Sequence, residues 1–471
     1  MASRPSHRLV AVVLAAGHGR RIKSRTAKVL QPLCGRPVLW HVLDAIRATC
    51  PATVIVVIRN RGNDVEEAVG SWGLRLPVRF VAQPDPQGTG HAVMVAEGAV
   101  GDADEVLIAN GDEPLVTGPQ LRELVSLRRR RKAAIAVQTT VPQDAKGFAR
   151  VVRDGDELVR LAEGSEASSE ELEIPEVATG VYACRTEDLF GALPLVSREN
   201  RQREYYLPDV LGILRDKGER LVVQTVDIGG AVGVNSRIEL ARAAEVMRRR
   251  INEALMTHGV TIVDPTATYI DVGVRVGNDT TIHPQTHLEG ATVIGEGCSI
   301  GPNARLVDTR VADDASIEQS SVSGSRIGPR AVVGPFSHVR PGTVLGADTK
   351  VGSFVEIKAS RVGDGSKVPH LSYVGDATIG RNVNIGAGTV TVNYDGYAKH
   401  RTTIGDDVRI GSDTMLVAPV KIGRGAVTGA GSVITRDVPA GALAVERSEQ
   451  RTVAGYRKRK DRQQGRAGGQ T

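Results

Sequence analysis

The sequence predicts an α/β chain in two parts: a mostly parallel sheet covered by helices in the first half, and a coil of parallel strands in the second. Three observations carry this. The first half alternates short β-branched runs with longer helical patterns. The second half places an aliphatic residue at every sixth position, as at Val276, Ile282, Leu288, Ile294, Ile300 and Leu306, a period that no helix or hairpin produces. The length, 471 residues, is about three times that of an ordinary domain.

Taken in order, residues 1–8 are polar and read as a lead into a strand, too short for a signal peptide. Strands are expected at 9–14, 54–58, 78–81, 105–109 and 134–139, with helices near 37–48, 91–98 and 119–132. Gly17 and Gly19 follow the first strand, and Asn110-Gly111-Asp112 ends the fourth. Both groups therefore belong at carboxyl ends of strands, where open sheets place ligands. Residues 237–258 set Leu240, Ala244, Met247, Ile251 and Leu255 on one face of a charged background, the pattern of a connecting helix.

The hexads return at Val339, Leu345, Val351 and Ile357, at Ile379 and Ile385, and at Ile404, Ile410, Leu416 and Ile422. Six residues make one flat side and three sides a coil of about 18, with each aliphatic side chain stacking inward on its copy. Residues 262–437 then form roughly ten coils. The aromatic content of 3% suits a narrow interior. Two breaks, Lys367-Val368-Pro369-His370 and residues 391–403, read as loops; the second carries Asn393, Tyr394, Asp395, Tyr397, Lys399 and His400. The end near Val433 needs a cap, which residues 443–456 can supply. The expected division is 1–236, a helix at 237–258, 259–456 with its tail, and a disordered basic tail at 457–471.

Composition bounds the partners. The 60 Lys and Arg exceed the 54 Asp and Glu by six, and much of the excess lies in residues 128–132 and beyond 457. No recognition-helix motif, zinc spacing or interleaved aromatic stripe points to nucleic acid. Cys34, Cys50, Cys184 and Cys298 have neither metal-ligand nor disulfide-framework spacing, and no apolar run reaches membrane length. A cytoplasmic protein without membrane partners is expected.

The chemistry starts at Leu14-Ala15-Ala16-Gly17-His18-Gly19-Arg20-Arg21, a strand running into a Gly-rich turn, with Lys28 placed to return over the same cleft. Backbone amides and two cations can cradle phosphates. The spacing is neither that of a P-loop nor that of a dinucleotide fingerprint. Asp112, at a strand end, can hold Mg2+ against phosphate oxygens.

On these residues the first half resembles the sugar-1-phosphate nucleotidyltransferases. Residues 8–456 together resemble the bifunctional N-acetylglucosamine-1-phosphate uridyltransferase/glucosamine-1-phosphate N-acetyltransferase family. The resemblance implies a Rossmann-like nucleotidyltransferase domain followed by a left-handed parallel β-helix of hexapeptide repeats. In LAAGHGRRIKSRTAKVL it sets Arg21 and Lys28 in the two cationic, catalytic positions, with Ala27 where the family has Pro. It implies UTP binding by Leu14, Ala15, Ala16, Gly17, Lys28, Gln83, Gly88 and Thr89, the last three in the uracil-recognition segment. Mg2+ would be held by Asp112 and Asn235, and N-acetylglucosamine-1-phosphate by Glu163 and Asn235. Ala149 and Ala178 depart from the family's Gly and Asn in the sugar pocket, and Asn110 replaces an aromatic residue. These departures leave open an altered or weakened sugar-phosphate site.

The second half resembles the hexapeptide acyltransferases, which are trimers with acetyl-CoA sites between neighbouring prisms. By that resemblance His370 is the general base, and Arg340, Lys358, Tyr373 and Asn384 bind glucosamine-1-phosphate. Asn393, Tyr394, Ser412, Ala430 and Arg447 bind acetyl-CoA, with Lys399 in support. Tyr456 stands where many members have Trp. The implied activities are acetyl transfer from acetyl-CoA to glucosamine-1-phosphate, then Mg2+-dependent uridylyl transfer from UTP, by a homotrimer. A prism that only assembles the enzyme is the plainer alternative.

Overall fold

A computed structural model describes residues 7–17, 19–59, 63–142, 145–146, 148–154, 157–162, 167–227 and 233–467. The chain folds as two compact units, one of Met1–Glu253 with Ile270–Val272, the other of Ala254–Tyr269 with Gly273–Thr471.

The first unit is built on one sheet. Its strands run Leu221–Thr225, Ile135–Thr140, Val177–Arg185, Glu105–Asn110, Leu9–Leu14, Thr53–Arg59 and Val78–Gln83 in spatial order. All these pairings are parallel except those of Val177–Arg185, which is antiparallel to both neighbours. The central strands are apolar on both faces because both are covered. Val10, Val12, Val106 and Ile108 pack with Leu189 and Leu211 on one side; Ala11, Val13, Val54 and Leu107 pack with Leu39, Leu43 and Leu121 on the other. Burying one such Leu or Val stabilises by about 1.5–3 kcal/mol. The chain runs outward from Leu9–Leu14 through Thr53–Arg59 to Val78–Gln83, then returns to Glu105–Asn110 on the opposite side. That reversal opens a crevice at the carboxyl ends of the two central strands.

The helix Gly118–Arg131 opens with a capping box between Thr117 and Gln120 and closes on Lys132 in the left-handed region. Its basic end is not merely a solvated charge run. Arg128 and Arg129 both pair with Glu105, at the start of the central strand. The region expected as one helix at 91–98 is two short ones, Thr89–Met94 and Glu97–Val100. The helix Arg237–Thr257 lays Leu240, Ala243, Ala244, Val246 and Met247 against Ile22, Leu33, Val38 and Leu115.

The second unit is a three-sided coil. Its strands stack into sheets of eleven, ten and nine among the described residues, all parallel, as in Ile282 on Ile300 and Ile300 on Ile317. The expected inward aliphatics are buried from Ile282 onward, and Val276 is half-buried near the start. The region between Leu306 and Val339 belongs to the same coil. Val311, Ile317, Val322, Ile327 and Val333 continue the inward stack, with some sides only five residues long. The coils leave no space beside the aliphatic positions: a Cβ on Gly277 would lie 2.6 Å from the carbonyl oxygen of Gly295. Buried hydroxyls tie successive coils together, Thr280 donating to Gly295 O at 2.8 Å and Ser325 to Arg340 O at 2.9 Å.

Three expectations are corrected. Lys367–His370 is a strand, not a loop: Val368 points inward and stacks on Val351. Thr391 and Thr403 also lie in strands, so the interruption is confined to residues 393–401. The tail is helical over Tyr456–Ala467, a stretch dominated by Arg, Lys and Gln, which favour helix. Leu443–Ala444 adds a last strand beside Val427–Thr428 at the end of the coil.

Candidate functional site

The crevice of the first unit is a cleft of about 940 Å³, reached by both Gly17 and Asp112. The Gly111 N–H donates to Leu14 O at 2.9 Å and clamps the two central strand ends together. Asn235 comes from far along the chain. The Val234 N–H donates to Asp112 O at 2.7 Å, and Glu239 accepts from the Asn235 N–H at 2.7 Å. The Lys28 ammonium pairs with the Asp112 carboxylate and donates to Asn235 Oδ1 at 3.0 Å. A carboxylate and an amide oxygen thus face one cationic point. Hard oxygen donors of this kind suit Mg2+, which takes few protein ligands and fills its shell with water and phosphate oxygens. No cluster of three or more His, Cys, Asp or Glu suited to a metal exists among the described residues. Asp112 and Asn235 therefore fit the expected metal as a partial ligand set.

Leu14, Ala15, Ala16, Gly17, Arg21, Gln83, Gly88 and Thr89 all line the same cleft. The Thr89 hydroxyl is turned away, accepting from the Leu207 N–H at 3.0 Å. Ala149 and Ala178 lie side by side on the wall, joined by Ala178 N–H to Ala149 O at 3.1 Å. Glu163 lies outside the described residues.

Glu113 was missed by sequence reasoning, although an acidic pair at a strand end was visible. It lines the cleft, and its Oε1 accepts from Asn110 Nδ2 at 2.8 Å. Burial, and then the charge of Asp112, push its carboxyl well above the usual range against the pull of Asn110 and Lys28. Gly180 makes room for this pair. It has φ +82°, and a Cβ there would run into Asn110 Nδ2 and stand 2.9 Å from Glu113 Oε1.

In the second unit, Lys358 and Asn393 converge on Asp376, a further residue that sequence reasoning missed, and Tyr373 joins through Asn393. Asp376 Oδ2 accepts from Lys358 Nζ at 3.4 Å and Asn393 Nδ2 at 2.5 Å, and Asn393 lies 3.5 Å from the Tyr373 hydroxyl. The neighbouring Lys358 ammonium, by hydrogen bonding and then by its charge, holds Lys399 below the usual ammonium range. Arg340 pairs with Glu356 at 2.7 Å. The loop at 393–401 is braced from within: Asp395 accepts from the N–H groups of Tyr397 and Ala398 and from His400. Tyr394 is exposed, its hydroxyl donating to Gly396 O at 2.7 Å.

His370 ends an interior strand of the eleven-stranded sheet, in register with Ser353, and is exposed. Within one chain no hydrogen bond joins it to Lys358 or Asn393 among the described residues. Asn384 pairs with Lys367 on the same sheet. Ser412 and Ala430 follow the next strands of that sheet, linked by Gly431 N–H to Ser412 O at 2.8 Å. Arg447 Nη1 donates to Ala430 O at 2.9 Å rather than standing free. Beside His370 the corner is apolar and open: Phe336 and Phe354 stack at 5.3 Å while 55% and 60% exposed, with Leu371 next to them.

Family models agree with this layout. Residues 11–206 match the MobA-like NTP transferase domain, 267–362 the GMPPB C-terminal domain, and 401–436 the bacterial transferase hexapeptide (six repeats). The bifunctional protein GlmU of Heliobacterium modesticaldum is 47% identical over 457 residues, covering 96% of this chain and 99% of that protein. GlmU of Mycobacterium tuberculosis is 47% identical over 455 residues, 95% and 92% of the two chains. This chain belongs to the GlmU family. GlmU of an Exiguobacterium species is 44% identical over 452 residues, 95% of this chain and 99% of that one. The chain joins a Rossmann-like nucleotidyltransferase domain to a left-handed parallel β-helix of hexapeptide repeats. Both halves are transferases, as the sequence led us to expect.

Proposed function

We propose that the chain makes UDP-N-acetylglucosamine in two steps: the β-helix acetylates glucosamine-1-phosphate from acetyl-CoA, and the α/β unit couples the product to UTP. The convergence of Lys28, Asp112 and Asn235 on one point of the cleft carries the second step. The sugar-phosphate oxygen attacks the α-phosphorus of UTP, an O–P bond forms, and the bond to pyrophosphate breaks. No protein nucleophile is needed. Arg21 and Lys28 neutralise the phosphates, and the amides after Leu14 cradle them. Mg2+, held by Asp112 and Asn235, would supply the positive charge that screens the two reactants from each other.

In the β-helix, His370 takes the proton of the sugar amine as its nitrogen attacks the thioester, and the CoA thiolate leaves. Arg340 and Lys358 hold the sugar phosphate, Tyr373 and Asn384 frame the sugar, and Asn393 with Tyr394 orients the reacting groups, with Lys399 in support. Ser412, Ala430 and Arg447 flank the cofactor. We propose a homotrimer, because the exposed stack of Phe336, Phe354 and Leu371 beside His370 is an apolar corner that a second copy would cover. No helix among the described residues is long and apolar enough to cross a membrane, and a cytoplasmic location fits the substrates.

A second reading gives the first unit a different sugar-1-phosphate. It draws on Ala149 and Ala178 side by side and on the Asn110–Glu113 pair in the cleft wall. A mass-resolved assay with Mg2+, UTP and N-acetylglucosamine-1-phosphate, in competition with glucose-1-phosphate and glucosamine-1-phosphate, separates the two. Predominant UDP-N-acetylglucosamine supports the first reading; another UDP-sugar supports the second.

A further inference from the structure

We propose that His91 sets the base preference of the cleft by fixing which way round the Gln83 amide lies, favouring uracil over cytosine. The proposal rests on the reading of the cleft as a UTP site. Gln83 ends the strand Val78–Gln83, is 2% exposed, and lines the cleft. Its Nε2 has two acceptors on the protein side, Gly88 O at 3.3 Å and His91 Nδ1 at 3.0 Å. Both amide hydrogens are thus committed inward. No hydrogen bond to Oε1 is found among the described residues, so what the amide can offer a ligand is an acceptor.

A base read by an acceptor must present an N–H. Uracil carries one at N3, whereas N3 of cytosine is itself an acceptor, so cytosine would meet lone pair with lone pair. A site built around a buried hydrogen-bonding group discriminates strongly against a ligand that leaves it unpaired. The reversed amide, with Nε2 toward the cleft, would favour cytosine. It is opposed from two sides. Gly88 O can only accept, and His91 opposes it as long as its Nδ1 keeps its lone pair, the neutral ring carrying its proton on Nε2. His91 is held for this task. It sits in the helix Thr89–Met94, which begins straight after Gly88, and its ring lies 6.3 Å from that of Tyr205 at 30°. Tyr205 is tied to the same turn, its N–H donating to Gln87 O and its carbonyl accepting from the Gly90 N–H, both at 2.8 Å. His91 is therefore a positioning residue acting through Gln83.

The test compares kcat/KM for UTP and CTP with one sugar-1-phosphate in the wild type, His91→Phe and His91→Asn. Phe keeps a ring against Tyr205 but removes the acceptor, and Asn puts Oδ1 where Nδ1 stood. The UTP-to-CTP ratio should fall about tenfold in His91→Phe, through a higher KM for UTP and a lower one for CTP, and His91→Asn should restore it. An unchanged ratio in His91→Phe, or an equal fall in His91→Asn, overturns the relay. Nitrogen-15 histidine NMR of the wild type tests it without a variant: His91 should carry its proton on Nε2, and a proton on Nδ1 overturns the proposal. A wild type that neither turns over nor binds UTP ahead of CTP overturns the UTP reading and the relay together. A UTP-selective wild type with an unaltered Phe variant overturns the relay alone.

Discussion

Lys28 Nζ donates to Asn235 Oδ1 at 3.0 Å, joining residues 207 positions apart, and the same ammonium is paired with Asp112. One cation therefore joins the Asp112 carboxylate and the Asn235 amide oxygen at the centre of the cleft. A divalent ion bound there would compete with the lysine for the same oxygens, and phosphate oxygens would give the lysine an alternative partner.

Replacing Lys28 with Met should tighten Mg2+ binding to the free protein while lowering uridylyl transfer by about a hundredfold or more. Calorimetric titration of Mg2+ and pyrophosphate release read the two effects separately. Unchanged Mg2+ affinity would show that Lys28 does not share the metal's oxygens.

His370 belongs to the second unit, and the residues that line the cleft belong to the first. His370→Ala should lower CoA thiol release from acetyl-CoA by about 10²- to 10⁴-fold and leave pyrophosphate release from UTP near wild type. Parallel loss of both activities would argue against separate sites.

Gly180→Ala should destabilise the first unit by about 1–3 kcal/mol. The new Cβ would run into the Asn110 amide at a backbone φ of +82°. Urea unfolding measures the loss. In the folded variant, KM for the sugar phosphate should rise while that for UTP stays put, because the strand that ends at Asn110 neighbours the one that carries Ala178, whereas Gln83 ends the edge strand of the sheet. A matching rise for UTP would remove the pair from the sugar side.

Glu105 supplies a pH-dependent term. Only 2% exposed, it meets Arg129 Nε at 2.9 Å and also pairs with Arg128. Burial pushes its carboxyl up, but the Arg129 hydrogen bonds and the charges of Arg128 and Arg129 outweigh it and hold the carboxyl below its ordinary 4.5. A depressed carboxyl stabilises fully above its unfolded value, and that stabilisation is lost as pH falls through the folded value. Unfolding free energy should therefore fall below about pH 4.5. Glu105→Gln should lose this component and cost about 3–5 kcal/mol at neutral pH, since Arg128 stays buried without its partner. Identical acid profiles for the two proteins would contradict the assignment.

The strands Leu9–Leu14, Thr53–Arg59 and Glu105–Asn110 were legible because a parallel strand covered on both faces is an unbroken apolar run. The coil was legible wherever its sides are six residues long, since each inward aliphatic must meet its own copy. It was hidden at Val311, Val322 and Ile327, where five-residue sides keep the stack and break the period. Lys367–His370 misled for the same reason: the five-residue side from Ile357 to Val362 shifts the inward Val368 off the period, although the strand keeps its register with Lys350–Ser353. Among site residues, Gly17, Lys28 and Asp112 declared themselves by local spacing. Asp376 did not, because its partners Lys358 and Asn393 lie 18 and 17 residues away, and Glu113 did not, because its burial in the cleft wall sets its behaviour.

The sequence by itself determined the two architectures and the phosphate-seeking turn, because periodicity and turn chemistry act over a few neighbouring residues. Only the tertiary structure decided that Asn235 shares a cation with Asp112, that Arg128 and Arg129 close on Glu105, and that His91 faces the Gln83 amide. These contacts depend on how strand order and helix packing bring remote segments to one point. Periodicity specifies which face of an element is buried, but not which polar group from another element will meet it there.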